Sequence, residues 1–350
     1  MENRHKKKLL YDPMFERYEK GEIRLQKHSV GKKLVFIITL SFFVGISMLL
    51  SFSSISGSGA EYEQIDDGYL LSSYKSHEND TVLRADFVIN EQGEEDLSSP
   101  VTKIRQYTLC CDEYIEYIYI GKHVKEIETN AFYYCKNLKA IFVDEENENY
   151  ASVDGVLYKK ENGALTEIIL CPIQHCFFKA AVKAGYEVPE SYGQVKEFIK
   201  LIKENEEQIK KLYEEIEKAV TIPEGVVKIG DLCFNSCNDI ELIDIPSTVR
   251  EIGSMAFFRC EALKEISLPD GLEKIGSDAF SKCFALSYIF IPSGVKEIGH
   301  HAFYDCSSLE QINLGHNSRD ELTLGENWLP QKREILMKDV PAVFGQERSE

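Results

Sequence analysis

The sequence predicts a solenoid of the α/β type, built from stacked 23-residue units with short parallel strands, plus one N-terminal transmembrane helix and a long amphipathic helical insertion. Three observations support this fold class. One motif recurs every 23 residues over 220–312, an uncharged apolar run fills 34–52, and apolar residues recur at helical spacing over 194–219. With 350 residues, 43% hydrophobic and 28% charged, the chain has enough material for a sizeable core, and wholesale disorder is excluded.

Charge is spread unevenly along the chain. There are 40 Lys and Arg against 58 Asp and Glu, which gives a net charge of −18. Because nucleic-acid binding depends on clustered basic residues, we expect no nucleic-acid partner. Residues 1–33 are the exception, with ten basic and five acidic residues, and no charged residue follows them before Glu61.

The apolar run Leu34–Phe52 predicts a membrane segment. Its nineteen residues would span about 28 Å as a helix, close to the thickness of the hydrocarbon layer. Lys33 abuts the run on one side, and no Lys follows on the other side before Lys75. The positive-inside rule therefore predicts that 1–33 is a basic cytoplasmic tail and that the C-terminal bulk is extracellular.

Two interpretations of this segment stay open. A retained anchor agrees with the long apolar run and the long basic leader, and it would make the chain a single-pass membrane protein. Cleavage near Ala60 is the alternative, because small residues at 58–60 suit a signal peptidase and would leave a secreted protein.

Four copies of one unit follow each other over 220–243, 243–266, 266–289 and 289–312. Each copy repeats proline, glycine, phenylalanine and cysteine at fixed places: Pro223, Pro246, Pro269 and Pro292; Gly230, Gly253, Gly276 and Gly299; Phe234, Phe257, Phe280 and Phe303; Cys237, Cys260, Cys283 and Cys306. The register recurs at Phe132 and Cys135 and, more weakly, over 101–118, so six units are predicted.

Each unit opens with a short strand. In the run I-x-[IL]-P apolar residues alternate with a variable position, and proline ends the strand because it lacks an amide donor. Stacking of these strands predicts one parallel sheet, and glycine permits the tight return. A period of 23 residues falls within the 20 to 29 residues of leucine-rich repeats.

The segment Leu263–Cys283 matches L-x-x-I-x-[LI]-P-x-x-[LV]-x-x-I-G-x-x-A-F-x-x-C almost letter for letter. In this it resembles the BspA-like (treponemal-type) leucine-rich repeat surface proteins. The segment 143–158, followed by Cys171-Pro172, resembles the strand-rich spacer of that family, so the likeness reaches from about 101 to 314. The resemblance implies a bacterial surface or secreted protein that adheres to host proteins or to other microbes.

These patterns predict eight segments. They are a basic cytoplasmic tail (1–33), a transmembrane helix or uncleaved signal anchor (34–52), a linker and N-terminal cap (53–100), leucine-rich repeats (101–142), a strand-rich spacer (143–189), an amphipathic helical insertion (190–219), leucine-rich repeats (220–314) and a C-terminal cap and tail (315–350).

The insertion reads as one amphipathic helix over 194–219, about 39 Å long. Its apolar stripe has two interpretations. It packs on the solenoid or on the short helical stretch Phe177–Ala184, or it forms a coiled-coil surface for self-association or for a partner helix.

The cysteine spacing defines neither a disulfide framework nor a metal site. The repeat cysteines lie beside Phe and Leu and are predicted to be buried thiols: Cys135, Cys237, Cys260, Cys283 and Cys306. Spacing leaves the disulfide state of the others open: Cys110, Cys111, Cys171, Cys176 and Cys233. His175 lies beside two of these, but four zinc ligands cannot be assembled there, and the acidic run 144–148 lacks the calcium-loop pattern.

No enzyme is predicted. The chain has no G-x-S-x-G, no G-x-x-x-x-G-K-[ST], no G-x-G-x-x-G and no H-E-x-x-H, so no catalytic residue and no cofactor are assigned.

Binding is instead predicted on the concave face formed by the strands. Five aromatic residues occupy variable strand positions that we expect to be exposed: Tyr117, Tyr119, Phe142, Tyr288 and Phe290. Aromatic side chains are favoured interface anchors, although such residues also form cross-strand pairs that need no partner. Both interpretations stay open.

Together these features predict a membrane-anchored, extracytoplasmic repeat protein that binds a protein or glycan ligand in cell-surface adhesion. The alternative is an envelope scaffold or signalling partner of another membrane protein, with the N-terminal tail reporting inside.

Overall fold

A computed structural model describes residues 54–57, 59–78, 80–89, 94–316, 321–329, 334–337 and 340–344. The predicted cytoplasmic tail 1–33 and membrane helix 34–52 lie outside these residues. Within the described part of the chain, no helix is both long and apolar enough to cross a bilayer.

The strands are, in chain order, β1 (Ser54–Gly57), β2 (Ala60–Ile65), β3 (Gly68–Tyr74), β4 (Val82–Ala85), β5 (Phe87–Ile89), β6 (Glu95–Ile104), β7 (Tyr117–Ile120), β8 (Glu126–Ile127), β9 (Ala140–Val143), β10 (Tyr150–Val153), β11 (Val156–Glu161), β12 (Ala164–Leu170), β13 (Ala219–Thr221), β14 (Lys228–Ile229), β15 (Leu242–Asp244), β16 (Glu251–Ile252), β17 (Glu265–Ile266), β18 (Lys274–Ile275), β19 (Tyr288–Ile291), β20 (Glu297–Ile298), β21 (Gln311–Leu314), β22 (Thr323–Leu324), β23 (Glu334–Met337) and β24 (Val340–Phe344). The helices are α1 (His175–Lys183), α2 (Tyr192–Glu204) and α3 (Glu206–Glu215).

Short parallel strands form what we term the front ladder, as the repeat pattern predicts. It has three hydrogen-bonded parts, β4-β7-β9, β13-β15-β17 and β19-β21-β23, the last of which is closed by the antiparallel β24. From β7 onward, paired residues of parallel strands in this ladder lie 23 positions apart, so Tyr117 faces Ala140 and Tyr288 faces Gln311. Residues 53–100 were predicted to be a linker and N-terminal cap that precedes the repeats. Strand β4 lies within this segment, yet it pairs in parallel with β7 and is already part of the front ladder.

A second set of strands, the back ladder, lies in the return path of each unit, where one strand per unit was predicted. It comprises β6-β8 and, beyond the antiparallel hairpin β10-β11-β12, the parallel series β12-β14-β16-β18-β20-β22. Most of these strands contain only two residues, such as Lys274–Ile275. Alternation over two residues is too short to be recognised in a sequence.

The core is a repeated stack of side chains. Phe234, Phe257, Phe280 and Phe303 are fully buried, with successive ring centroids 5.1, 5.0 and 5.2 Å apart. The Cys260 thiol donates to the carbonyl of Phe234 (3.1 Å), and the same contact joins Cys283 to Phe257. The predicted burial of the repeat cysteines is therefore confirmed.

The insertion contains two helices where one continuous helix over 194–219 was predicted. Asn205 separates α2 from α3, and its side-chain amide donates to the carbonyl of Leu201 (2.8 Å). Asparagine favours helix ends because its side chain bonds to nearby backbone groups. The continuous helix was thus a wrong prediction.

Most of the apolar stripe of the insertion is buried inside the fold. Val195, Phe198, Ile199, Ile202 and Ile209 are all buried, and α3 packs against α1. The interpretation in which the stripe packs on the solenoid and on the nearby short helix is confirmed. The alternative, self-association through the stripe of 194–219, is wrong for these residues because they are already covered.

Candidate functional site

The front ladder has a covered part and an open part. Tyr117, Tyr119 and Phe142, predicted on the exposed concave face, are only 1%, 2% and 1% exposed. The predicted exposure of these three residues is therefore wrong. Helices α1 and α2, which lie later in the chain, cover β7 and β9.

Aromatic contacts make this cover. The Phe198 ring of α2 lies 6.1 Å from the Tyr117 ring and 5.8 Å from the Phe142 ring, both edge to face. The Tyr119 hydroxyl donates to the Asp144 carboxylate (2.7 Å), and its ring lies 5.4 Å from Tyr192. Burial raises the pKa of Tyr117 and Tyr119 far above the usual tyrosine range. Both tyrosine side chains therefore contribute to core packing and are inaccessible to a ligand.

The start of α2 is fixed above β4. The Ser191 amide donates to the Gln194 side chain (2.9 Å), which closes the first turn. The Arg84 guanidinium lies 4.0 Å from the Tyr192 ring centroid and pairs with Asp86 at 2.6 Å. A cation over an aromatic face is attracted by the ring quadrupole, so α2 is tied to the N-terminal part of the front ladder.

In the open part of the ladder, Tyr288 and Phe290 are 45% and 42% exposed. The Asn313 amide of the next strand donates to the Tyr288 hydroxyl (3.2 Å), and Gln311 donates to Asn313 (2.8 Å). Both rings therefore stand on a hydrogen-bonded strand pair. A Cβ atom at Gly315 would lie 3.1 Å from Phe290, so glycine leaves room for this ring.

The surroundings of the two rings complete what we term the open face, which consists of Leu242, Asp244, Glu265, Ser267, Tyr288, Phe290, Gln311 and Asn313. Leu242 is 38% exposed. Neither Asp244 nor Glu265 forms an ion pair with another described residue. The sequence pattern already placed these residues at strand positions, but only the aromatic ones were singled out as a site.

The open face presents aromatic, aliphatic, acidic and amide side chains side by side. It combines two aromatic rings, an exposed leucine, two carboxylates and two amides on rigid strands. Among the described residues, no group of three or more His, Cys, Asp or Glu side chains is placed to hold a metal ion.

The repeat geometry and the two parallel ladders define a leucine-rich repeat domain. The chain matches the family described as BspA type leucine rich repeat region, with six copies, over 93–157 and 212–322. These ranges make up just over half of the sequence, and the chain belongs to this family. The number of units predicted from the sequence is confirmed. Proteins of this kind typically bind other molecules and are not enzymes.

Several solved structures are similar to this chain. A leucine-rich repeat protein from Eubacterium ventriosum is 17% identical, with a TM-score of 0.44, over 81% of this chain and 86% of that one. A leucine rich cell surface protein from Faecalibacterium prausnitzii is 19% identical, with a TM-score of 0.38, over 82% and 77%. The pneumococcal vaccine antigen PcpA is 15% identical, with a TM-score of 0.42, over 82% and 99%. No curated protein matches the sequence.

Proposed function

We propose that this protein is a cell-surface binding protein whose open face holds a protein or glycan ligand in adhesion. One observation carries the proposal. The front ladder buries its aromatic residues wherever helices cover it, yet Tyr288 and Phe290 are 45% and 42% exposed where it is open. Exposed aromatic rings remove a large area from water on binding and often dominate interface energies.

The charges of the open face favour a ligand with basic groups. Asp244 and Glu265 are exposed carboxylates, and Tyr288 and Phe290 offer ring faces to which a Lys or Arg side chain is attracted. A protein surface that carries apolar and basic side chains satisfies both features. A glycan would instead stack on the two rings and form hydrogen bonds with the side-chain amides of Gln311 and Asn313.

For its location we propose an anchor at Leu34–Phe52, with the tail 1–33 inside the cell and the repeats outside. The apolar run and its one-sided basic flank support this arrangement. Protease added to whole cells should degrade the repeats and spare a tag fused to residue 1. The mass of the mature chain separates a retained anchor from cleavage near Ala60.

The test of the open face compares two double variants of the full chain, purified in mild detergent. Binding is measured against extracellular-matrix, mucin and envelope fractions in about 0.15 M salt, where charges are screened beyond about 8 Å. We expect Tyr288→Ser with Phe290→Ser to lower affinity at least tenfold, because the exposed rings are removed. Leu97→Ser with Tyr114→Ser is the matched control, since these residues are 69% and 40% exposed away from the open face.

Unchanged binding by the Tyr288 and Phe290 variant would contradict a ligand on the open face. If the folded protein bound no fraction at all, the adhesion proposal would fail, and the envelope scaffold would become the better hypothesis.

A further inference from the structure

A cleft interrupts the stack of turns that follows the back ladder. Its volume is about 440 Å³, and one wall is formed by the turn around Asn130 and Phe132. The opposite wall is the turn that contains Asp231 and Asn235. A complete unit is missing between these turns, because the chain forms the β10-β11-β12 hairpin and the helices there. The open face lies on the front ladder, so the cleft is a separate feature.

Everywhere else in the stack, each turn hydrogen-bonds to the next. The amides of Leu232 and Phe234 donate to the carbonyls of Ser254 and Ala256, at 3.0 and 2.7 Å. The same pair of bonds recurs in the two following units. Upstream of the cleft, the Leu109 amide donates in the same way to the next turn, at Ala131 (2.8 Å). A regular turn therefore presents donors to one neighbour and acceptors to the other.

At the cleft this ladder is left incomplete on both walls. Asn130 and Phe132 correspond to Leu232 and Phe234, yet their amides have no acceptor in the described part of the chain. On the opposite wall, the carbonyls of Asp231 and Asn235 accept no hydrogen bond from any described residue. The equivalent peptide groups are paired in the regular turns, so a ligand that pairs with these groups would complete the ladder.

The chain fills only the middle of this gap. The Cys171 amide donates to the carbonyl of Cys233 (2.8 Å), which lies between Asp231 and Asn235 in sequence. Leu170, Cys171 and Pro172 line the cleft and give it an apolar floor. A cavity of this size is within the range of small ligand sites, about 300–1,000 Å³.

Most charges at the rim are paired, but the exposed Asp231 carboxylate forms no ion pair with another described residue and accepts a hydrogen bond from the Ser254 amide (2.7 Å). Lys228 pairs with Glu167 at 2.8 Å, and Lys103 lies 2.9 Å from both Glu126 and Glu128. The cleft therefore offers a ligand mainly peptide groups and an apolar floor, with the Asp231 carboxylate as its one charge that forms no ion pair among the described residues.

We propose that the cleft is a second binding site, occupied by a short, net-neutral peptide segment of a partner protein that takes the place of the missing turn. Carbonyls of the segment accept from the Asn130 and Phe132 amides, and its amides donate to the Asp231 and Asn235 carbonyls. An apolar side chain of the segment contacts the floor. Recognition of this kind extends an existing hydrogen-bond ladder, as strand addition does at a sheet edge.

The probe is the blocked peptide GSDAFSK, which has the sequence of this chain's own regular turn at 276–282. It is titrated into the full chain by calorimetry, beside a scrambled peptide of the same composition. Amide hydrogen exchange is followed over 128–134 in the same samples. We expect saturable binding with a Kd below about 1 mM, slower exchange at Asn130 and Phe132, and no binding of the scrambled peptide.

Two variants test the location. Thr129 lies at the rim of the cleft and is exposed, so Thr129→Trp should obstruct it and weaken peptide binding at least tenfold. Ser254→Trp alters the equivalent exposed position of a regular turn and should leave binding unchanged. Both variants are first shown to unfold at the temperature of the parent protein.

Three outcomes would overturn the proposal. One is the absence of saturable peptide binding, and another is equal binding by Thr129→Trp and the parent. The third is slow exchange of the Asn130 and Phe132 amides before any peptide is added, which would mean that another part of this chain fills the cleft.

Discussion

Phe142 and Phe290 occupy the same position in the strands of their repeats, yet Phe142 is 1% exposed and Phe290 is 42% exposed. The difference comes from what lies above each strand. Phe178 of α1 and Phe198 of α2 each lie 5.8 Å from the Phe142 ring, whereas no described aromatic ring packs on Phe290. One repeat position thus serves the core in the first part of the array and the surface in the last.

Alanine substitutions at these two positions should separate core from surface. Phe142→Ala should lower the free energy of unfolding by about 3–5 kcal/mol, because a buried ring is replaced by a cavity. Phe290→Ala should change it by less than about 1 kcal/mol, since the ring is exposed. Urea unfolding followed by circular dichroism measures both. Equal losses would contradict the covered and open parts of the front ladder.

Glycine stacking in the turns makes a second prediction. A Cβ atom at Gly276 would lie 2.5 Å from the carbonyl carbon of Gly253, so Gly276→Ala must displace backbone. We expect the free energy of unfolding to fall by more than about 1 kcal/mol, because overpacking typically costs 1–3 kcal/mol. Gly193→Ala in α2 is the control, since its Cβ would meet nothing within 4 Å. That change should stabilise by about 0.4–1 kcal/mol, and thermal unfolding of the two variants would show opposite shifts.

His175 should make stability depend on pH. Burial, and then the nearby Lys179, lower the pKa of His175 to about 3, against about 6.5 in the unfolded chain. Between these values the unfolded chain binds a proton that the folded chain does not. The free energy of unfolding therefore falls as pH is lowered from about 6.5 towards about 3.

The variant His175→Phe removes this group while keeping an aromatic ring. The buried Nδ1 of His175 has no hydrogen-bond partner among the described residues, so little is lost by replacing it. Between pH 7 and pH 5, the stability loss of the variant should be about 2 kcal/mol smaller than that of the parent. Parallel pH profiles of the two proteins would refute the assignment.

The reactivity of the cysteine thiols should show that the repeat core is buried. Eight cysteines are buried, and only Cys110 and Cys111 have intermediate exposure. Desolvation raises the pKa of Cys260 and Cys283 well above the ordinary thiol value, so the reactive thiolate is scarce. Iodoacetamide at pH 8 should add to at most two cysteines of the folded protein and to all ten in urea. An adduct on Cys260 before unfolding, located by peptide mass, would contradict this core.

The 23-residue period was sufficient to predict the front ladder, because each unit repeats the same apolar spacing, even where Gly121 and Asp144 replace the proline of the later units. It did not reveal β4 (Val82–Ala85), which carries Arg84 and whose residues lie 35 positions, not 23, before their partners in β7. The aromatic partner of Arg84 is Tyr192, which lies more than one hundred residues later in the sequence. The sequence alone therefore gives no reason to expect a charged residue in this strand.

Site prediction failed for a related reason. Periodicity shows which side chains leave the same side of a strand, but it does not show what covers that side. Tyr119 and Phe290 follow the same pattern, and only the path of α2 decides that the first is buried. The sequence also does not reveal that the Asn130 and Phe132 amides find no acceptor among the described residues, because this results from a unit that the chain omits.

Because the helices cover β7 and β9, the open face is narrow, and its size limits how firmly one molecule can hold a ligand. Strands β15, β17, β19 and β21, at a spacing of about 4.8 Å, span roughly 15 Å, and strands of up to four residues give an area on the order of 200 Å². A stable protein interface buries about 800 Å² on each partner. Under the adhesion proposed above, a single contact through this face would be short-lived. Firm attachment of a cell would then depend on many copies engaging at once, where each bound copy raises the effective concentration of the next.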